Sequence, residues 1–157
     1  MNDNAGIIPI VVADIYELAG RFREHGEAIA RTVGQTQARW QVLSAAATAP
    51  PLTVPQIARI LGVTRQNVQR IADLLVGDGS AQFQDNPDHR ASPHLVLTRR
   101  GRAALDQLGK AARGFHVRLG QKLSASDVAS AQRALRRLLE ALAGIDPVHH
   151  TEQESSS

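Results

Sequence analysis

Apolar residues recur at helical spacing through most of the chain. Over 8–33, Val11, Ile15, Leu18, Phe22, His25 and Ile29 step by four and three, while Asp14, Glu17, Arg21 and Glu24 fall off that line. This is the pattern of an amphipathic helix with one buried stripe. A second helix is predicted over 37–47, with Trp40, Leu43 and Ala47 inward and Pro50-Pro51 stopping it. From Thr98 to about Lys122, Leu105, Leu108, Ala112, Phe115 and Leu119 share a face. Ser124 and Asp127 have the spacing of a capping box. The helix they open carries Val128, Ala131, Leu135, Leu138 and Leu142 on one line and ends at Gly144 and Pro147. Helices at both ends offer more apolar face than the short middle of the chain can cover. Packing inside the monomer is one way to cover such stripes; with both ends supplying them, pairing between two copies of the chain is the expectation.

Between these helices the periodicity shortens and changes type. Thr53 and Gln56 form a second capping box, with Pro55 tolerated in the first turn because its N–H would lack an intrahelical partner anyway. That helix ends at Gly62, which can turn left-handed for want of a Cβ. Val63 is expected to plug the turn, and Thr64 caps a helix over 65–76. Two short helices joined by a tight Gly-containing turn make a helix-turn-helix. The second divides cleanly: Val68, Ile71, Ala72 and Leu75 inward, and Arg65, Gln66, Asn67, Gln69 and Arg70 outward in its N-terminal half. Arg pairs with guanine O6/N7, Asn and Gln with adenine N6/N7, and recognition helices present their N-terminal residues to bases. A solvated polar face is the plain alternative. Exposed helices ordinarily fill such a face with Glu and Lys, and here no carboxylate occurs before Asp73. After Gly77-Asp78-Gly79, strands around 81–84 and 94–98 flank the polar stretch Asp85 to Pro93, a hairpin with a long tip. Arg90 at that tip can reach a minor groove or a phosphate, with Asp88 two residues earlier placed to hold it.

Composition narrows the chemistry. The 157 residues include 18 Lys+Arg, 15 Asp+Glu, six His and no Cys. A disulfide framework, a thiol nucleophile and a cysteine redox sensor are thereby excluded. Aromatics are 3 % of the chain, so the core must be aliphatic, which suits helices. Residues 54–102 hold seven Arg and four Asp, a net +3, and the remainder of the chain is neutral, so the excess falls on the segment with the helix-turn-helix and hairpin. No apolar run nears the roughly 20 residues a bilayer span requires. The short run Ile7 to Ala13 has no basic residue before it, so a cytoplasmic protein is expected. There is no Gly-rich phosphate loop, HExxH pair or Ser nucleophile motif, and a non-enzymatic protein without cofactor is expected. Metal sites are not expected either: His116 has Gly120 four residues on, and His149-His150 lie on a polar end.

Taken together, Arg39-Trp-Gln-Val-Leu43, the stretch Thr53 to Arg70, the wing Asp85-Asn-Pro-Asp-His-Arg90 and Leu97-Thr-Arg-Arg-Gly-Arg102 resemble the MarR family of bacterial transcription regulators over residues 37–108. The resemblance implies a mainly α fold with a small β-wing. An N-terminal dimerisation helix would span 1–36, a winged helix-turn-helix DNA-binding lobe 37–100 and C-terminal dimerisation helices 101–147; by its composition, polar and without apolar anchors, the end 148–157 is expected to be a disordered tail. It implies a homodimer on a pseudo-palindromic double-stranded operator, acting as a repressor released by a small aromatic or organic effector. Thr64, Arg65, Gln66, Asn67, Gln69 and Arg70 become the major-groove set, Arg90 the wing contact and Asp88 its positioner. Ala91-Ser-Pro93 stands where the family commonly has a further basic residue, which would weaken the wing. Tyr16, His25, Arg39 and Trp40 are the candidate lining of an effector cleft, with core packing as the competing role of Trp40 and a core or interface position as that of His25. The competing reading of the whole is a winged-helix module that binds protein without specific DNA binding.

Overall fold

A computed structural model describes residues 4–145; the tail expected over 148–157 and His149-His150 lie outside that range. The first helix, α1 (Ile8–Arg31), carries a proline in its opening turn, where no N–H is missed. It meets α2 (Gln37–Ala46) at Gly26, where a Cβ would come within 2.7 Å of Gln37 Cγ. Glu27 Oε2 accepts the Gln37 N–H at 2.8 Å. This puts a carboxylate at the N-terminus of α2, where the helix dipole favours negative charge. That backbone hydrogen bond outweighs desolvation and, with Arg31, holds the Glu27 carboxyl below its ordinary range. In α2, Val42, Leu43, Ala45 and Ala46 are buried. Ala47, expected inward, is exposed because the helix has already ended there.

The short strand β1 (Leu52–Thr53) leads directly into α3 (Val54–Leu61), followed by α4 (Arg65–Gly77), β2 (Ala81–Gln84), β3 (His94–Leu97), α5 (Arg99–Gly120) and α6 (Ala125–Ala143). The strands form one antiparallel sheet in the order β1-β3-β2, with Leu95 opposite both Leu52 and Phe83. Sequence periodicity anticipates the β2–β3 hairpin; the two-residue β1 is too short to show any. Leu95 and Leu97 point into the core, and His94 and Val96 are only half-buried, the alternation of a sheet with one covered face. Leu43, Ile57, Val68, Leu75, Leu95 and Leu108 are completely buried and belong to one cluster. Helices α2, α3, α4 and α5 and the sheet thus share a single aliphatic core.

The chain divides into two compact units, residues 1–114 and 115–157. The second contains the end of α5 and all of α6. Ser124 caps α6 by accepting the Asp127 N–H at 3.0 Å, and Asp127 reciprocates, the predicted capping box. No residue of α6 is buried: Val128, Leu135, Leu139 and Leu142 are all exposed. On α1, Leu18 and Phe22 of the predicted stripe are likewise about half exposed. Among the described residues, no helix is long and apolar enough to cross a membrane.

Candidate nucleic-acid interface

The two helices of the central motif begin and end where their capping chemistry dictates. Thr53 Oγ1 accepts the Gln56 N–H at 3.4 Å, while Gln56 Oε1 accepts the Thr53 N–H at 2.8 Å. Gly62 closes α3 at φ +64°, the left-handed region open to glycine. Thr64 then caps α4 by accepting the Asn67 N–H at 3.2 Å. Val63 is partly exposed and so does not seal the turn as expected. The inward set of α4 is the predicted one: Val68, Ile71, Ala72 and Leu75 are buried.

With that face fixed against the core, the opposite face is fixed too. Arg65, Gln66, Gln69 and Arg70 are exposed, and Asn67 is half-buried. Arg70 Nη2 donates to Asn67 Oδ1 at 3.1 Å, and Gln69 Nε2 to Asp73 Oδ1 at 2.8 Å. Such exposed contacts between neighbours on one helix are weak and exchange readily for a ligand's groups. The side chains of Arg65 and Gln66 make no hydrogen bond or ion pair among the described residues. The structure therefore brings the six predicted positions 64–67, 69 and 70 to one end of one exposed helix. Beside them a groove of about 430 Å³ opens between α4 and the wing, bounded by Pro55, Gln66, Gln69, Phe83 and Pro93.

The wing departs from expectation at its tip. Asp88 and Arg90 are both exposed and form no ion pair among the described residues; the expected positioning of Arg90 by the Asp88 carboxylate is not what the structure shows. Residues 85–93 are instead organised by Asn86, which is buried. Its Nδ2 donates to Ser92 O at 2.9 Å and its Oδ1 accepts the Asp88 N–H at 3.0 Å. The signal for this was in the sequence: Asn followed by Pro at a loop start favours a side chain that bonds its own backbone two residues on.

At the opposite end of α4 the wing is anchored. Thr98 Oγ1 donates to Gly79 O at 2.6 Å, and the Thr98 N–H donates to Ser80 O at 3.1 Å. Gly101, in the first turn of α5, lies against the same carbonyl. Asp78, the C-cap of α4, accepts the Ser80 N–H at 3.0 Å and pairs with Arg39 of α2. Burial opposes ionisation of Asp78, but hydrogen bonds from Ser80 and Arg39 outweigh it and hold the carboxyl below the usual aspartate range.

This geometry revises the charge argument. Arg99, Arg100 and Arg102 stand on the first turn of α5, tied through Thr98 to the C-terminal end of α4. By the rise of an α-helix that end lies about 18 Å from Arg65. The four arginines left in 54–98 (Arg59, Arg65, Arg70 and Arg90) are matched by Asp73, Asp78, Asp85 and Asp88. Asp78 itself stands at that far end, so the reading end keeps an excess of one arginine over Asp73, Asp85 and Asp88, and most of the net +3 lies at the α5 base.

The candidate effector residues are divided between two helices, Tyr16 and His25 on α1 and Arg39 and Trp40 on α2. Arg39 is only 20 % exposed and is committed to Asp78 and, through Nε at 2.9 Å, to Gln35. Trp40 packs against the core cluster. Tyr16 and His25 are exposed on α1, and Tyr16 lies roughly 15 Å along that helix from its contact with α2 at Gly26. Sequence reasoning missed the Arg39–Asp78 pair because its members are far apart in the chain and each reads as an ordinary surface charge. Among the described residues, no group of three His, Asp or Glu is placed to hold a metal ion.

The family model for MarR proteins matches residues 33–92, the stretch that runs from before α2 through the wing tip. An uncharacterised protein of Mycobacterium tuberculosis is 48 % identical over 132 residues, covering 84 % of this chain and 92 % of the relative. An uncharacterised Mycobacterium bovis protein matches to the same extent. This chain belongs to the MarR family. Solved MarR structures share its fold at low identity. A MarR/EmrR-family regulator from Acinetobacter superposes with a TM-score of 0.74 at 18 % identity, covering 88 % of this chain and 99 % of that one. A mutant MarR from E. coli complexed with operator DNA superposes at 0.69 with 23 % identity, covering 88 % and 99 %. The winged-helix arrangement of α3, α4 and the β2–β3 hairpin is thus a MarR-family feature, and the family model ends within two residues of Arg90.

Proposed function

We propose that this MarR-family protein is a sequence-specific double-stranded-DNA-binding transcriptional regulator that acts as a homodimer on a pseudo-palindromic operator. One observation carries the reading. Four buried aliphatic residues lock α4 in place while its N-terminal half presents Arg65, Gln66, Asn67, Gln69 and Arg70 on the outside. The donors and acceptors of these side chains match base edges in a major groove. Thr64 fixes the start of the helix, and Arg90 reaches a phosphate or minor groove from the wing. The domain roles follow, with 37–100 as the DNA-binding lobe and the segments 1–36 and 101–147 as dimerisation helices. The dimer is supported by the exposed leucines of α6 and the half-exposed Leu18 and Phe22 of α1, since amphipathic helices owe most of their stability to a covered apolar face. Repression, relieved by a small organic effector, is the mode of action proposed with it.

The test is a fluorescence-anisotropy titration of the purified chain against DNA from upstream of its own gene, with sedimentation velocity on the same sample. A saturable complex that survives excess non-specific DNA, formed by a species of twice the chain mass, is expected. Binding that non-specific DNA abolishes would refute the regulator and leave the protein-binding winged helix. A monomer would refute the dimer.

A further inference from the structure

We propose that Asn86 is the positioning residue of the wing: it folds the tip so that Arg90 is held toward nucleic acid with its charge unspent. The inference rests on the DNA-binding reading above and assigns a role that the motif positions do not. Nine residues separate β2 from β3. A polar loop of that length left to itself samples many shapes, and ordering it costs conformational entropy at every residue. Only one polar side chain within it is buried, that of Asn86 at 7 % exposure. Its amide is used at both ends: Nδ2 donates to the Ser92 carbonyl at 2.9 Å, and Oδ1 accepts the Asp88 N–H at 3.0 Å. The backbone adds to the same clamp, with the His89 N–H donating to Asn86 O at 3.3 Å and the Ser92 N–H to His89 O at 3.0 Å. Pro87, next in sequence, fixes its own φ. The anchored points, Asp88 and Ser92, bracket Arg90, which stands exposed between them.

The clamp is also electrically neutral, and that matters for what it presents. An Arg90 paired with Asp88 would have to break its ion pair to take up a phosphate. Held through the backbone by an uncharged amide, Arg90 enters a complex with its full charge, which is what displaces a condensed counterion from DNA. Asp88 contributes its backbone N–H to this arrangement and not its carboxylate.

The experiment compares Asn86→Ala, Arg90→Ala and the double variant, in the full chain, by anisotropy titration across a salt series. Asn86→Ala should weaken binding about 5- to 10-fold and lower the slope of log K against log salt by about one, as the loss of a single phosphate contact does. Arg90→Ala should do the same, and the double variant should be no more than about twofold worse than Arg90→Ala, because residues acting through one contact are not additive. Multiplicative losses, or an unchanged slope in Asn86→Ala, would overturn the proposal. Asn86→Asp keeps the acceptor for Asp88 N–H but sets a carboxylate against the Ser92 carbonyl; it should behave like the alanine variant. A DNA-independent measurement keeps the two readings separable. Amide exchange at Asp88 and trypsin cleavage after Arg90 should both accelerate in Asn86→Ala, while amides of α4 stay protected. Unchanged exchange and cleavage would refute the clamp. Accelerated exchange in a chain whose wild type binds no DNA would refute the DNA reading instead, and with it the role of Arg90.

Discussion

The close approach of Gly101 to the Ser80 carbonyl gives the winged lobe its sharpest prediction. Gly101 opens α5 beneath the α4–β2 turn, and a Cβ built there would lie 1.9 Å from Ser80 O, 2.9 Å from Ser80 C and 3.3 Å from Leu97 Cδ2. The nearest atom is a backbone carbonyl, so no side-chain rotation relieves the clash. For Gly101→Ala the turn and the helix must part by roughly 1 Å, and overpacking of this kind costs about 1–3 kcal/mol. The same displacement stretches Thr98 N–H to Ser80 O, now 3.1 Å, and Thr98 Oγ1 to Gly79 O, now 2.6 Å. Losing both costs about 1 kcal/mol each. Alanine returns about 1 kcal/mol of helix propensity. The expected net destabilisation is about 2–4 kcal/mol, a large share of a domain's typical stability. Gly109, later in α5, is the internal control, because nothing lies within 4 Å of a Cβ built there. Gly109→Ala should therefore stabilise by about 0.5–1 kcal/mol. The assay is urea denaturation followed by far-UV circular dichroism, at one fixed chain concentration because oligomerisation shifts the midpoint. If Gly101→Ala were as stable as the wild type, or moved in the same direction as Gly109→Ala, the close approach would not be the constraint described.

Further outcomes concern the reading face and the α4 C-cap. Gln66→Ala and Arg70→Ala should each lose about 1–3 kcal/mol of discrimination at one base position, measured with an operator mutation series; uniform weakening on all sequences would assign them to the phosphate backbone. Asp78 has a folded carboxyl held below its ordinary value of 3.8. Its contribution to stability is therefore complete above that value and is lost as pH falls through the depressed folded value. Asp78→Asn should flatten the acid limb of stability against pH relative to wild type, while identical profiles would show that the Ser80 and Arg39 contacts do not favour the charged carboxylate.

Much of the secondary structure was legible in the chain because its signals are local. Thr53 with Gln56, Thr64 with Asn67 and Ser124 with Asp127 each act over three residues, and Gly62 acts on its own φ. The inward set of α4 needed only the helical period. Strand β1 was not legible, because two residues carry no period and Thr53 doubles as a helix cap. Nor was the anchoring of the wing base: Arg39 meets Asp78 across 39 positions, and Thr98 meets Gly79 across 19. The placement of charge misled for a related reason. Counting along the chain puts Arg99, Arg100 and Arg102 with the reading helix, whereas folding carries them to its far end.

By itself, then, the sequence determined the helices, their caps, the exposed polar end of α4 and the family resemblance, since capping and amphipathic periodicity depend on neighbours within one or two turns. Tertiary structure alone decided where the positive charge sits and which glycine tolerates no side chain. Those outcomes depend on approaches between segments remote in sequence: the Gly79 carbonyl on Thr98, the Ser80 carbonyl on Gly101, the Asp78 carboxylate on Arg39. Side-chain periodicity sets which face of an element is buried, and only the packed chain sets which backbone atom that face meets.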